Sequence, residues 1–124
     1  MRTELVDVHQ AADKVRGVVW ANEPVSTLED SLVALSQVRA MVDAAEIECL
    51  GVYDASKEWK ASGALSAPAR LAELTCGRQD SIGWRRGLAR KLRGMPHTVS
   101  AFELGDLGLE HVSSLCRANL FALA

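Results

Sequence analysis

The feature of this sequence that most constrains its fold is a long run of apolar residues at helical spacing between positions 28 and 52. These side chains recur every three or four residues, which places them along one side of an α-helix. This apolar stripe consists of Leu28, Leu32, Leu35, Val38, Val42, Ala45, Cys49 and Val52. The run predicts a long helix over about 28–55, with the stripe buried against the rest of the protein.

A second helical pattern precedes the long helix. Its apolar positions are Leu5, Val8, Ala12, Val15 and Val19. They predict a helix over about 3–20. Pro24 separates the two helices, because the residue before a proline is disfavoured in the helical conformation. Helices joined by a short turn pack as antiparallel neighbours, so the sequence predicts an N-terminal helical hairpin.

Prolines and glycines divide the second half of the chain into shorter helices. The predicted helices cover about 66–75, 81–94, 96–104 and 109–122. Ser66 can cap the first of them, and Gly77 is predicted to end it in a left-handed conformation. Pro96 can begin the third helix, since its missing N–H is not needed in a first turn, and Gly105 can end it with a positive φ. The first two form a helix-turn-helix-like element.

The composition agrees with a helical protein of one domain over residues 1–124. Of these residues 48% are hydrophobic but only 5% aromatic. The core must therefore be built from Leu, Val and Ala, and Leu and Ala favour helices. The sequence predicts an all-α fold, with a long N-terminal helical hairpin followed by three or four short helices.

The cysteines and the N-terminus bear on the cellular compartment. Cys49, Cys76 and Cys116 are odd in number and far apart, which argues against a disulfide framework and for a reducing compartment. Cys76 is predicted to be a small buried hydrophobe. The first residues carry acids where a secretion signal needs an apolar run, and no segment approaches the roughly 20 apolar residues of a membrane span. The sequence predicts a cytoplasmic protein without a membrane partner.

Positive charge concentrates between residues 78 and 93, where Asp80 is the one acid. The arginine patch, which we predict as the nucleic-acid-binding site, consists of Arg78, Arg85, Arg86, Arg90 and Arg93. Guanidinium groups at this spacing could contact the phosphates of DNA. Two observations favour the alternative of a solvated or intramolecularly paired face. Asp80 near the helix start would repel phosphate, and the first 62 residues carry eleven acids against six bases.

Other chemistry is weakly indicated. His9, His97 and His111 fall on different predicted helices and lack the paired spacing of metal ligands. Serines near His111 do not form a catalytic triad, because no strand–turn–helix elbow surrounds them. The sequence therefore predicts no catalytic residue, no metal site and no cofactor.

The segment ARKLRGMPHTVSAFELGDLGLEHVSSL resembles the pattern of domain of unknown function 222, the 13E12 repeat family, which is common in actinobacterial proteins. The matching positions are Ala89, Leu92, Pro96, Ala101, Gly105, Leu107, His111 and Val112. Upstream matches are Asp54, Gly63, Ala64, Ser66, Thr75 and Gly77. The likeness covers about residues 28–119. This chain departs from the family in lacking its Trp-Leu-Ala and in having Gly83 and Gly87 where alanine and leucine are usual.

Members of that family often end in an HNH endonuclease domain, and nothing in this chain supplies one, since no histidine follows His111. The resemblance implies a non-catalytic, DNA-associated accessory module of an HNH-endonuclease-type mobile-element protein. One alternative is an interaction or oligomerisation domain, which the heptad-like run 28–52 and the apolar C-terminal residues favour. Another is a truncated remnant without activity.

Overall fold

The chain is all-α, as predicted. The structure is a computed structural model that describes the backbone of residues 1–122 and the side chains of residues 1–118. Within the described residues it is 80% helical and has no strand. Its helices are α1 (Thr3–Arg16), α2 (Val25–Ser56), α3 (Ala67–Leu74), α4 (Gln79–Leu92), α5 (Pro96–Glu103) and α6 (Leu109–Ala122). Short 3₁₀ turns cover Trp20–Asn22 and Glu58–Ser62.

Local signals set most helix boundaries. α2 begins directly after Pro24 and α5 begins at Pro96. The Ser66 hydroxyl caps α3 by accepting the Ala69 N–H at 3.1 Å. α4 starts two residues earlier than predicted, without a side-chain cap. α1 ends at Arg16 rather than near residue 20, because the chain turns at Gly17.

The turn after α5 has the geometry that Gly105 predicts. Gly105 has a φ of 80°. Its N–H donates to Phe102 O at 3.1 Å, and the Asp106 N–H donates to Ala101 O at 2.9 Å. These two bonds form a Schellman motif, which satisfies carbonyls left over at a helix C-terminus.

Gly77 does not have the left-handed conformation that we predicted for it, because a threonine ends α3 instead. The Thr75 hydroxyl donates to Leu71 O at 2.8 Å and accepts the Gly77 N–H at 3.1 Å. The side chain of Thr75 thus supplies the bonds that a left-handed glycine turn would have made. Cys76 beside it is exposed, so the prediction that it is a buried hydrophobe is wrong.

The chain divides into two compact units, residues 1–33 and 34–124. In the first unit no residue of α1 is buried, and its apolar side chains are exposed. The packing of α1 and α2 as a hairpin, and a single domain over residues 1–124, stay predictions.

The hydrophobic core of the second unit lies where α2, α4, α5 and α6 meet. Its buried members are Ala40, Ala44, Ile47, Leu88, Ala89, Leu92, Phe102, Val112 and Cys116. Small residues on α2 allow α4 to approach closely, and a Cβ added at Gly51 would lie 3.3 Å from Ala89 Cβ. The core is thus aliphatic apart from Phe102 and Cys116, in line with the composition.

The buried face of α2 is opposite the one that the apolar stripe predicts. Its buried residues are Ala40, Ala44, Ile47, Leu50, Gly51 and Asp54. At about 100° per residue this set lies on the far side of the helix from the stripe. Within the stripe, Leu32, Val38, Val42 and Val52 are 67%, 52%, 45% and 68% exposed. The predicted burial of the stripe is therefore wrong, since α2 has two apolar sides and the side that carries Ala44, Ile47 and Gly51 faces the core.

Candidate functional site

All five members of the arginine patch contact an oxygen atom of this same chain. Arg85 of α4 reaches two carboxylates of α2, with its Nη1 3.3 Å from Asp43 Oδ1 and 2.9 Å from Glu46 Oε1. Arg78 pairs with Asp80 at 2.9 Å on the exposed surface. Arg85 thereby joins two helices, whereas Arg78 makes a local pair apart from the others.

Three of these arginines meet around the end of α2, where Asp54 is the buried acid. Arg90 donates from Nε and Nη2 to Asp54 Oδ2 at 3.3 and 3.0 Å. Arg86 lies farther away, with Nη1 3.9 Å from Asp54 Oδ1. Arg93 donates from Nη2 to Gly51 O at 3.4 Å. The structure thus gathers Arg86, Arg90 and Arg93 at one place.

The helical repeat explains this convergence. Arg86 and Arg90 are four residues apart on α4 and share a helix face. Asp54 lies on the buried face of α2, with only 8% of its side chain exposed. A buried carboxylate costs several kcal/mol unless it is paired. Within the described side chains, every buried nitrogen and oxygen has a hydrogen-bond partner.

A cavity of about 450 Å³ opens beside this cluster. We call it the basic pocket. The side chains that give it its character are Lys57, Arg86, Arg90, Arg93, Asp54 and Trp59. The Trp59 indole N–H donates to the Asp54 backbone oxygen at 3.2 Å, which holds the 3₁₀ turn Glu58–Ser62 against the end of α2. The pocket is therefore built from the end of α2, the 3₁₀ turn, the two residues before α3, Leu65 and Ser66, and α4.

The carboxylate partners were missed from the sequence, although a weak signal for them exists. Asp43, Ile47 and Asp54 are spaced by four and seven residues, which places two acids on the face that Ile47 buries. Acids on a buried face indicate a basic partner. The sequence does not say which bases these are, because Arg90 is 36 residues from Asp54.

A second candidate surface is the apolar stripe itself. From Leu35 onward its spacing alternates between three and four residues, which is the a/d pattern of a coiled coil. The six a/d residues are Leu35, Val38, Val42, Ala45, Cys49 and Val52. All except the half-buried Leu35 are exposed. Single exposed apolar residues are ordinary on protein surfaces, whereas a contiguous row of them marks a site of interaction.

An apolar cavity of about 440 Å³ adjoins one edge of this stripe. Ile47, Leu92, Val99 and Phe102 line it, and Val52 belongs to both the cavity and the stripe. Ile47, Leu92 and Phe102 are buried core residues, so the cavity is an indentation toward the core at the edge of the stripe.

The histidines and cysteines form no cluster. His9, His97 and His111 are exposed on α1, α5 and α6, and no group of three metal-ligating side chains occurs among the described residues. Burial raises the pKa of the Cys116 thiol, and nearby Lys91 opposes that shift. None of the helices in the described part of the chain combines the length and apolar character needed to cross a membrane.

Comparison of the chain with protein-family models, with curated proteins and with solved structures finds no match in any of the three. The resemblance to domain of unknown function 222 therefore stays an expectation from the sequence.

Proposed function

We propose that this chain is a non-catalytic helical interaction module that associates with a second copy of itself through the apolar stripe of α2. The observation that carries the proposal is the exposed a/d row from Val38 to Val52, whose spacing is that of a coiled coil. Burial of such a row against another helix removes apolar surface from water, which favours association by about 25 cal/mol per Å².

Charges beside the stripe favour an antiparallel pair of α2 helices. In an antiparallel register that places Val42 opposite Ala45 of the other copy, Leu35 lies opposite Val52 and Cys49 lies opposite Val38. All six a/d residues then find an apolar partner. Arg39 and Glu46 lie on one edge of the stripe. In the same register Arg39 of each copy faces Glu46 of the other copy, so that two pairs of opposite charge form.

A parallel pair lacks this complementarity. In a parallel coiled coil, a residue at position g faces the residue at position e five places later in the other copy. Ala34 would then face Arg39, and Met41 would face Glu46. Neither contact pairs opposite charges, so the charge pattern selects the antiparallel arrangement.

Sedimentation velocity over a concentration series tests self-association. We expect a monomer–dimer equilibrium that reaches the dimer at tens of micromolar. Val38→Glu combined with Val42→Glu should give a monomer with unchanged helical content, because both side chains are exposed within one copy. Val25→Glu combined with Val33→Glu is the matched control, since both are exposed valines of the same helix that lie off the stripe. A wild-type chain that stays monomeric at these concentrations would exclude the proposal.

A DNA-associated accessory role is a second proposal, in line with the resemblance of residues 89–112. It is supported by the exposed Arg78 and by the three arginines that gather at the basic pocket. One observation opposes this role, namely that Arg85 and Arg90 are already paired with carboxylates of α2. Duplex DNA binding measured by fluorescence anisotropy should weaken steeply with salt. Arg78→Ala should reduce the salt dependence, and a flat response at low salt would refute this role.

The association with an HNH endonuclease and the cytoplasmic location stay predictions. A neighbouring reading frame that encodes an HNH motif would support the first. Fractionation of cells that express the intact gene would test the second.

A further inference from the structure

We propose that the basic pocket binds a phosphate group. Four cationic side chains line the pocket, namely Lys57, Arg86, Arg90 and Arg93, against one carboxylate, Asp54. Asp54 compensates one of these charges and leaves an excess of positive charge in a concave site. Such a site attracts an oxyanion, and the planar guanidinium fork matches the geometry of phosphate.

Several donors in the pocket are not used by the protein. Arg86 approaches Asp54 only at 3.9 Å, which is beyond hydrogen-bond distance. Arg93 makes a single long bond of 3.4 Å to Gly51 O. The backbone oxygen of Lys57 accepts the Lys60 N–H, but the Lys57 ammonium has no hydrogen-bond or ion-pair partner among the described side chains. Because a guanidinium carries five N–H donors and an ammonium three, these residues retain donors for a ligand.

Parts of the pocket are held in place before any ligand binds. Arg90 is fixed by its two bonds to Asp54 Oδ2, and Arg86 is one helical turn away on α4. Lys57 has a φ of 58°, a left-handed conformation in which non-glycine residues are uncommon, and this turn ends α2 at the pocket. Trp59 is held by its bond to the Asp54 backbone oxygen. Arg90 and the turn Glu58–Ser62 are thus pre-organised, and a pre-organised site binds with less loss of conformational entropy.

The pocket has room for a phosphate that is part of a larger molecule. A volume of about 450 Å³ is within the range of small-molecule sites and exceeds one phosphate group. Trp59 lines the pocket beside the cations, and Lys60 Nζ lies over its ring at 5.8 Å from the centroid. The phosphate can come from a phosphorylated small molecule or from a nucleic-acid backbone, and both share the chemistry that the arginines recognise. Phosphate binding does not require that the chain self-associates. If the phosphate belongs to a nucleic acid, the basic pocket is where the DNA of the second proposal contacts this chain.

The Trp59 indole N–H resonance provides a reporter for binding. We would titrate the full chain with pyrophosphate and, separately, with a short DNA duplex, at constant ionic strength set with sodium chloride. Lys57→Gln and Arg93→Gln each remove one unpaired cation without disturbing the Arg90–Asp54 pair. Each should weaken binding about tenfold, the value of one charge-assisted hydrogen bond. Lys91→Gln is the charge-matched control, because Lys91 lies on α4 outside the pocket.

A saturable shift of the Trp59 resonance with pyrophosphate supports a small phosphorylated ligand. A shift with the duplex alone supports a nucleic-acid phosphate. Whichever probe binds, Lys57→Gln and Arg93→Gln should weaken its binding more than Lys91→Gln does. No saturable shift with either probe, or equal losses in all three variants, would overturn the proposal.

Discussion

Arg90 of α4 places both Nε and Nη2 on a single carboxylate oxygen of Asp54 in α2, at 3.3 and 3.0 Å. The acid is buried whereas 55% of the arginine side chain is exposed. The two partners are therefore unequal, because water can solvate Arg90 when it is alone but cannot readily reach Asp54. This pair connects the end of the long helix to the helix that carries most of the arginine patch.

Arg90→Gln should reduce the free energy of unfolding by about 2 kcal/mol, since it leaves a buried carboxylate with only the distant Arg86. Urea denaturation followed by circular dichroism gives the value. Lys91→Gln, one residue along the same helix, should change it by less than about 0.5 kcal/mol. The double-mutant cycle of Arg90→Gln with Asp54→Asn should show a coupling energy of about 1 kcal/mol or more. A coupling energy of zero would mean that the pair does not stabilise the fold.

Gly105→Ala should destabilise the chain by at least about 1–2 kcal/mol, because an alanine at its φ of 80° is strained. The new Cβ would also lie 3.0 Å from Gln37 O, a backbone atom of α2 that cannot move aside cheaply. Thermal unfolding measures the loss. An unchanged melting temperature would show that the turn relaxes.

Gly87→Ala should have the opposite effect and stabilise the chain by about 0.5–1 kcal/mol. Gly87 lies inside α4, and a Cβ built there meets nothing within 4 Å. The gain comes from the lower conformational entropy of alanine in the unfolded chain. The same unfolding experiment serves, and a loss of stability would indicate that this side of α4 is covered in solution.

Cysteine cross-linking should report the orientation of the proposed α2 pair. In a Cys76→Ser background, Val38→Cys should give a covalent dimer on mild oxidation, because position 38 faces Cys49 of the other copy. Without Val38→Cys the two Cys49 residues are about 16 Å apart along the helices, which is too far for a disulfide. Efficient cross-linking through Cys49 alone would indicate a parallel pair instead.

Alkylation should show different reactivities for the thiols of Cys76 and Cys116. Cys76 is exposed and should react rapidly with iodoacetamide, whereas Cys116 is 1% exposed and packs near Met95 Sδ at 3.9 Å. The raised pKa of Cys116 further lowers its thiolate fraction. Mass spectrometry of labelled peptides before and after denaturation checks the reactivity, and equal labelling of the two cysteines would contradict the buried position.

The raised pKa of Cys116 also makes the free energy of unfolding depend on pH. Because the folded state holds this proton to higher pH than the unfolded chain, the free energy of unfolding should fall as the pH rises above about 8.5.

The sequence by itself determined where most of the helices lie. Pro24 separates α1 from α2, Pro96 begins α5, Ser66 caps α3, and Gly105 ends α5 with the positive φ expected of it. These signals act within a few residues of where they occur, through caps and backbone sterics, so they can be recognised without a fold. Helix α6 covers residues 109–122, as its apolar spacing predicts.

Only the tertiary structure decided which side of α2 is buried and what the arginines contact. Both sides of α2 carry apolar residues. The side with Ala40, Ala44 and Gly51 is the one buried in the core, because these small residues let α4 come close. That approach then brings Arg90 to Asp54. Packing distance between helices and pairing between distant residues depend on the assembled fold, and no periodicity within a single helix encodes them.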